Sequence, residues 1–316
     1  PLRRFKDLFQ LPDSPHAVIL IGHRNRRFKM REIRYLQEVA RLAGLLAYNF
    51  QILVDEIEKR KRMRDVLLAA QLQRNRSRLP ERIQAVKLSF FSHPVISVTG
   101  DYLDIFQTHP DSLFVFLGDV SGHGLGTGYL VSAIRSLVRS HLESKASLTE
   151  TMDALNGFLA NRYKGNEFIT LFAMRLHLPS GRMEYINAAH PAPLLCRKDQ
   201  RDFLTLKSSQ RLLGILPEAY LSSFTTLMPE DRLFLYSDGV IEAFNPSEIP
   251  LGEAAFFDFM KDVARDDLDA IGPLLQKRLL SWRAGAAQSD DTTFVALEYS
   301  GSYARSRSFF SLFRQE

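Results

Sequence analysis

After Pro80 the chain falls into blocks: segments of strand length gather in clusters, and helical patterns follow one another in pairs. Strand candidates are 84–91, 112–119, 167–178, 182–188, 231–237 and 292–299, most of them alternating or built on short apolar runs. Helical spacing fits 127–144, 148–163, 253–264 and 267–283. Ser147 followed by Glu150 is a capping box for the second of these. Strict strand–helix alternation would build a doubly wound parallel sheet. Clustered strands and consecutive helices instead predict an α+β domain with antiparallel sheets. The 316 residues suffice for one large domain or two unequal ones.

The segment before Pro80 is of a different kind. Residues 16–22 read as a buried strand, and a long helical pattern starts near Met30. Along it Leu36, Val39, Ala43, Leu46, Phe50, Leu53 and Ile57 recur at alternating steps of three and four, the spacing of a coiled-coil seam. The run Lys59-Arg60-Lys61-Arg62-Met63-Arg64 interrupts the register, and apolar residues return at Val66, Leu67, Leu68 and Leu72. Two readings of 30–79 stay open: an amphipathic helix packed on its own domain, or a parallel two-helix stalk that joins a homodimer. The basic run lacks interleaved aromatics and reads as a solvated face rather than a nucleic-acid site.

Charge divides at the same place. Residues 1–87 hold 20 Lys+Arg against 9 Asp+Glu, a net of +11; residues 88–300 hold 18 against 26, a net of −8. A basic leader before an acidic body implies two units with different tasks, and an acidic body suits a site that gathers cations. Cys196 is the sole cysteine, which excludes an internal disulfide and a cysteine zinc cluster and fits a reducing cytoplasm. No apolar run reaches the ~18–20 residues needed to span a bilayer. The chain opens on Pro1 without a signal peptide, as a fragment of a longer protein would. Divisions are expected at 1–29, 30–79, 80–299 and a Ser/Arg/Phe-rich flexible tail, 300–316.

Acids recur at the ends of the strand candidates. Asp119 follows the apolar run Leu113–Leu117 within Gly118-Asp119-Val120-Ser121-Gly122-His123-Gly124. Asp238 closes another strand in Tyr236-Ser237-Asp238-Gly239, and Asp290 and Asp291 precede the last one. Asp101 and Asp104, in Thr99-Gly100-Asp101-Tyr102-Leu103-Asp104, are placed in the loop before strand 112–119. Each alone fits a turn residue. Together they put acids beside Gly or Ser at several strand ends, where a carboxylate projects into a cleft and the backbone can curl closely round a ligand. Carboxylates that converge repel one another unless cations sit between them. Hard oxygen donors select Mg²⁺ or Mn²⁺. Two such ions about 3.5–4 Å apart can orient a hydroxide for in-line attack at phosphorus.

The ordered motifs Gly-Asp-x-x-Asp, Gly-Asp-Val-Ser-Gly-His-Gly, Asn-Ala-x-His-Pro, Ser-Asp-Gly and Asp-Asp-x-Thr resemble the metal-dependent serine/threonine protein phosphatases (PPM, type-2C class). Within them the chain is most similar to the bacterial RsbU/SpoIIE-like branch, over roughly residues 80–299. The resemblance implies an α-β-β-α sandwich of two antiparallel sheets flanked by helices, here preceded by a long coiled-coil-like helix. It implies two ions, Mn²⁺ or Mg²⁺. Asp119 bridges them with the Val120 backbone carbonyl, Asp238 and Asp290 serve one ion, and Asp101 serves the other side. Asp291 supports the loop, and a metal-activated water is the nucleophile. The implied substrate is a phosphoserine or phosphothreonine protein, in this branch a STAS-type anti-sigma-factor antagonist of a partner-switching pathway. The alternative is a non-catalytic interaction module that keeps the fold and binds a regulator.

Other motif residues carry alternatives. His123 lies near a leaving group or holds the glycine loop as a structural imidazole. His190 reads as a buried hydrogen-bonding residue, and Thr170 either lines the cleft or packs the sheet. Two positions depart from the branch. Thr99 stands where Gly is usual, so its Cβ restricts the loop at the second metal, and Ala189 replaces the commoner Gly before His190. The strand and helix at 16–57 resemble the end of a GAF-type sensory domain with its exit helix.

Overall fold

The computed structural model describes residues 29–42, 44, 48, 83–95, 99–122, 125–163, 167–200, 202–207 and 210–301. The chain divides into two compact units, Pro1–Asp65 and Val66–Glu316. In the first, residues 30–42 are helical, and the Glu32 carboxylate caps the helix by accepting from the Lys29 backbone N–H at 2.8 Å. Leu36 is half-buried and Val39 exposed. Residues 1–28 and the seam positions Ala43, Leu46, Phe50, Leu53 and Ile57 lie outside the described residues, as do the basic run 59–64 and the tail 302–316.

Among its described residues the second unit holds ten strands: β1 Val86–His93, β2 Asp101–His109, β3 Ser112–Val120, β4 Ile169–His177, β5 Arg182–Ala188, β6 Leu194–Cys196, β7 Phe203–Thr205, β8 Ser223–Thr226, β9 Arg232–Tyr236 and β10 Thr292–Tyr299. Its helices are α1 Leu125–Glu143, α2 Leu148–Tyr163, the single turn α3 Asp238–Ile241, α4 Gly252–Val263 and α5 Leu268–Arg283. Two five-stranded sheets form, in the orders β1-β10-β9-β6-β7 and β2-β3-β4-β5-β8, with antiparallel neighbours throughout.

Three apolar layers explain why the central strands read as continuous hydrophobic runs. Alternate residues of β3 face opposite ways: Leu113, Val115 and Leu117 enter the layer between the sheets, and Phe114 and Phe116 the layer under α1 and α2. In β10, Val295 and Leu297 face the other sheet while Phe294 and Ala296 face α4 and α5. The helices supply matching stripes, Leu130, Ile134, Val138 and Leu142 on α1 and Leu268, Ile271, Leu275 and Leu279 on α5. The result is the four-layer α-β-β-α arrangement. The capping box at α2 is reciprocal: Ser147 Oγ accepts from the Glu150 N–H at 3.1 Å, and Glu150 Oε2 from the Ser147 N–H at 2.7 Å.

One expectation is corrected: Asp101–Asp104 is no loop but the start of β2. Tyr102 and Phe106 pack under α1 while Leu103 and Ile105 border the other sheet, so Asp104 faces the helix side and Asp101 the space between the sheets. Burial of Asp104, only 1% exposed, is tolerated because Arg139 of α1 donates to both its oxygens at 2.6 and 2.9 Å. Arg135, one turn earlier, donates to the Leu103 carbonyl. A run with two acids and a glycine thus hides a strand whose charges are met from outside it.

Ala189 occupies the left-handed region, with φ of 56°. That explains why glycine suits this position, since a Cβ there costs about 1 kcal/mol. Ala189→Gly should raise the free energy of unfolding by about 0.5–1 kcal/mol in urea titration, with an unchanged m-value.

Candidate metal centre

At one end of the inter-sheet layer the apolar residues give way to acids. Register in β2–β3 sets Asp101 directly opposite Asp119, and Thr170 of β4 stands opposite Asp119 on its other side. From the facing sheet come Asp238, just after β9, and Asp290, just before β10. Oxygens of Asp238, Glu242 and Asp290 lie within 4.8 Å of one another. Glu242 escaped the sequence reading: only because α3 forms a helical turn does its place four residues after Asp238 put it on the same face.

Electrostatics mark the site as short of positive charge. Burial, followed by repulsion from Asp238 and Asp290, pushes Asp119 from its ordinary 3.8 up to about 7. Burial and the neighbouring Asp290 and Glu242 push Asp238 up to about 6. Asp290 is raised chiefly by burial. Asp101, 4% exposed, is raised well above the usual carboxylate range by burial, with the hydroxyls of Thr293 and Ser237 opposing. Partly desolvated carboxylates that repel one another, offering only oxygen donors, fit a hard divalent cation.

One glycine makes this closeness feasible. A Cβ on Gly239 would stand 2.0 Å from the Asp291 carbonyl oxygen and 3.4 Å from the Asp290 Cβ. Glycine there lets the β9–α3 turn press on the turn before β10 and brings Asp238 to Asp290. A Cβ on Gly100 would lie 3.4 Å from the Val120 carbonyl oxygen and 3.6 Å from Asp119 Oδ1. The expected bridging acid and its companion carbonyl therefore face the same small space.

The remaining motif residues separate by role. Asp291 accepts from the backbone N–H of Val95 (2.7 Å) and Gly100 (2.6 Å) and from the Thr99 hydroxyl (2.9 Å), so it holds the segment leading into β2. Asp119 and Asp101 both lie outside the 4.8 Å trio, and Asp101 accepts a short hydrogen bond from the Thr293 hydroxyl of β10. Thr170 Oγ1 lies 3.0 Å from His190 Nδ1, and burial lowers His190 to about 3, a neutral ring. The Tyr236 backbone beside that ring favours its charged form, yet Nε2 makes no close hydrogen bond. His123 lies outside the described residues.

A family model described as Stage II sporulation protein E (SpoIIE) matches residues 109–300, more than half of the chain. The chain belongs to the SpoIIE family. Asp119, Asp238, Glu242 and Asp290 fall inside the SpoIIE match, and Asp101 lies eight residues before it. The chain is 22% identical over 240 residues to the phosphoserine phosphatase RsbP of Bacillus subtilis, covering 74% of this chain and 58% of that one. It is similar in fold to the SiaA-PP2C domain of Pseudomonas aeruginosa (TM-score 0.68, 17% identity, 77% of this chain, 99% of that one). It is similar too to the PP2C domain of SpoIIE from Bacillus subtilis (TM-score 0.60, 20% identity, 67% of this chain, 63% of that one). The chain spans about half the length of the curated relatives it matches. These likenesses agree with the two antiparallel sheets described above and with a SpoIIE-type chain of the RsbU branch.

Two outcomes test the centre. Gly239→Ala should weaken Mn²⁺ binding about ten- to a hundredfold in calorimetric titration. Gly157→Ala on α2, where a Cβ meets nothing within 4 Å, should leave it unchanged. The raised acids also predict a pH dependence. A carboxyl that holds its proton more tightly folded than unfolded favours the fold at low pH. That contribution is lost as pH climbs from about 4 through the folded values near 6 and 7. The metal-free protein should therefore melt at lower temperature at pH 8 than at pH 5, and Mn²⁺ should raise the pH 8 melting point more than the pH 5 one.

Proposed function

We propose that this chain is a divalent-cation-dependent phosphatase of phosphoserine or phosphothreonine proteins. The observation that carries the reading is the grouping of Asp238, Glu242 and Asp290 oxygens within 4.8 Å, with Asp119 of the other sheet close enough that, after burial, repulsion from Asp238 and Asp290 helps to raise it. Asp119 and the Val120 carbonyl would hold ions on the side of the first sheet, Asp238 and Asp290 on the side of the second, and Asp101 would serve the ion nearer β2. Mn²⁺ or Mg²⁺ suits these donors, and two ions would activate a water and offset the charge on the phosphoryl oxygens.

The chain's own residues would do the rest. Asp291 holds the β2 approach in place, and Ser237 ties the end of β9 to β10 through its hydroxyl, which accepts from the Thr293 N–H at 2.9 Å. The neutral His190 holds Thr170 beside Asp119 and carries no charge that would compete with cations.

Similarity to RsbP, a phosphoserine phosphatase, supports the phosphoserine ester as the bond attacked. A phosphorylated STAS-type regulator is the proposed substrate, and signalling by partner switching in the cytoplasm the proposed setting. In this reading residues 30–79 form the stalk of a homodimer after a sensory remnant, and residues 80–299 form the phosphatase domain. Nucleic acid is not a proposed partner. Among the described residues no helix is long and apolar enough to cross a membrane.

The test is hydrolysis of p-nitrophenyl phosphate and of a phosphorylated STAS protein, with and without Mn²⁺. Turnover should require the ion, and Asp119→Asn should lower it at least about a hundredfold while the circular dichroism spectrum is kept. A folded wild-type protein without metal-dependent turnover on either substrate would overturn the reading.

A further inference from the structure

The approach to β2 contains one residue that departs from the branch pattern, and its hydroxyl is fully engaged. Thr99 Oγ1 lies 2.9 Å from Asp291 Oδ2 and accepts from the Asp101 backbone N–H at 3.0 Å. A carboxylate can only accept, so the single hydroxyl proton points to Asp291, leaving the lone pairs for Asp101. The two bonds therefore run in one direction, Asp101 N–H to Thr99 Oγ–H to Asp291, an arrangement in which each polarises the next. The other Asp291 donors, Val95 and Gly100, come from the same segment. Asp291 in turn precedes β10, whose Thr293 hydroxyl meets the Asp101 carboxylate itself. Asp101 is thus gripped at its backbone through Thr99 and at its side chain through Thr293, and both grips originate in one stretch of the opposite sheet.

We propose that Thr99 is a positioning residue for Asp101, whose hydroxyl sets the affinity of the site for the cation on the β2 side. The inference rests on the metal-dependent reading above. A threonine suits this work better than a serine, because its second Cβ substituent restricts χ1 and holds the hydroxyl between its two partners. Glycine, usual here in the branch, would leave Asp291 its two backbone donors but remove the link to the Asp101 N–H. The start of β2 would then be free to settle only when an ion draws Asp101 in. Thr99 thus acts on the loop through its hydroxyl, which bonds Asp291 and the Asp101 N–H.

The experiment is calorimetric titration of the metal-stripped full chain with MnCl₂, for wild type, Thr99→Val, Thr99→Ser and Thr99→Gly, with p-nitrophenyl phosphate turnover measured in parallel. Valine keeps the shape and loses the hydroxyl; serine keeps the hydroxyl. The wild type should bind two ions. Thr99→Val and Thr99→Gly should weaken one of them tenfold or more and leave the other within twofold, and Thr99→Ser should stay within threefold of wild type at both. Equal weakening of both ions in Thr99→Val would show a merely structural role and overturn the proposal. So would unchanged binding in Thr99→Val, failure of serine to rescue, or a wild type that takes up fewer than two ions. Two-ion binding that follows this pattern without any turnover would uphold Thr99 as the positioning residue and sink the phosphatase reading alone.

Discussion

Two sheets face each other across an apolar layer, and at one end that layer ends in carboxylates that water reaches poorly. This is the constraint to which the rest of the structure answers. Leu117, Phe172, Leu235 and Val295 fix how closely the sheets approach. Once that spacing is set, the next residues outward, Asp119 on β3 and Asp238 beyond β9, have no choice but to share a cleft. Burial first, and then nearby like charge, raises the proton affinity of Asp119 and Asp238. An apolar core that stabilises the fold thereby prepares a site that only cations or protons can relieve.

The sheets also have to be pinned at this end, where apolar contact no longer holds them. Hydrogen bonds take over: Thr293 to Asp101, and Asp291 to Thr99 and Gly100 at the start of β2. Each bond joins segments 191 or 192 residues apart in the chain, so the mouth of the sandwich closes only when both sheets are complete. Gly239 acts within one sheet, where any side chain would meet the backbone of Asp291. The strand-end motifs are therefore as much about joining two sheets as about supplying oxygen donors.

How far the sequence reading reached depends on whether a residue's environment is local. Strand 182–188 and helix 148–163 were read to the residue, since periodicity and a capping box lie within each segment. β2 was read as a loop because Asp101 and Asp104 are poor strand residues by themselves. They become acceptable only when Arg139 of α1 meets one and Thr293 of β10 the other. The short strands β6, β7 and β8 carry too few residues to show alternation. Glu242 went unnoticed because four-residue spacing has meaning only on a helix, and a single turn after Gly239 leaves no periodic trace.

The sequence by itself determined the layered α+β class and pointed to Asp119, Asp238 and Asp290 at strand ends, because strand periodicity and Asp-Gly turns are properties of adjacent residues. It also determined that oxygen, not sulfur, would hold any ion, since one buried cysteine leaves no alternative. Only the tertiary structure decided how those acids divide. Asp104 goes to an arginine of α1, Asp291 to the loop before β2, and Asp101 to a threonine of the opposite sheet. Asp119, Asp238 and Asp290 remain for the cleft, with Glu242 beside them. Those assignments depend on which face of a strand each acid occupies and on what the other sheet presents there. Both follow from the register of residues far apart in the chain, and no local pattern encodes them.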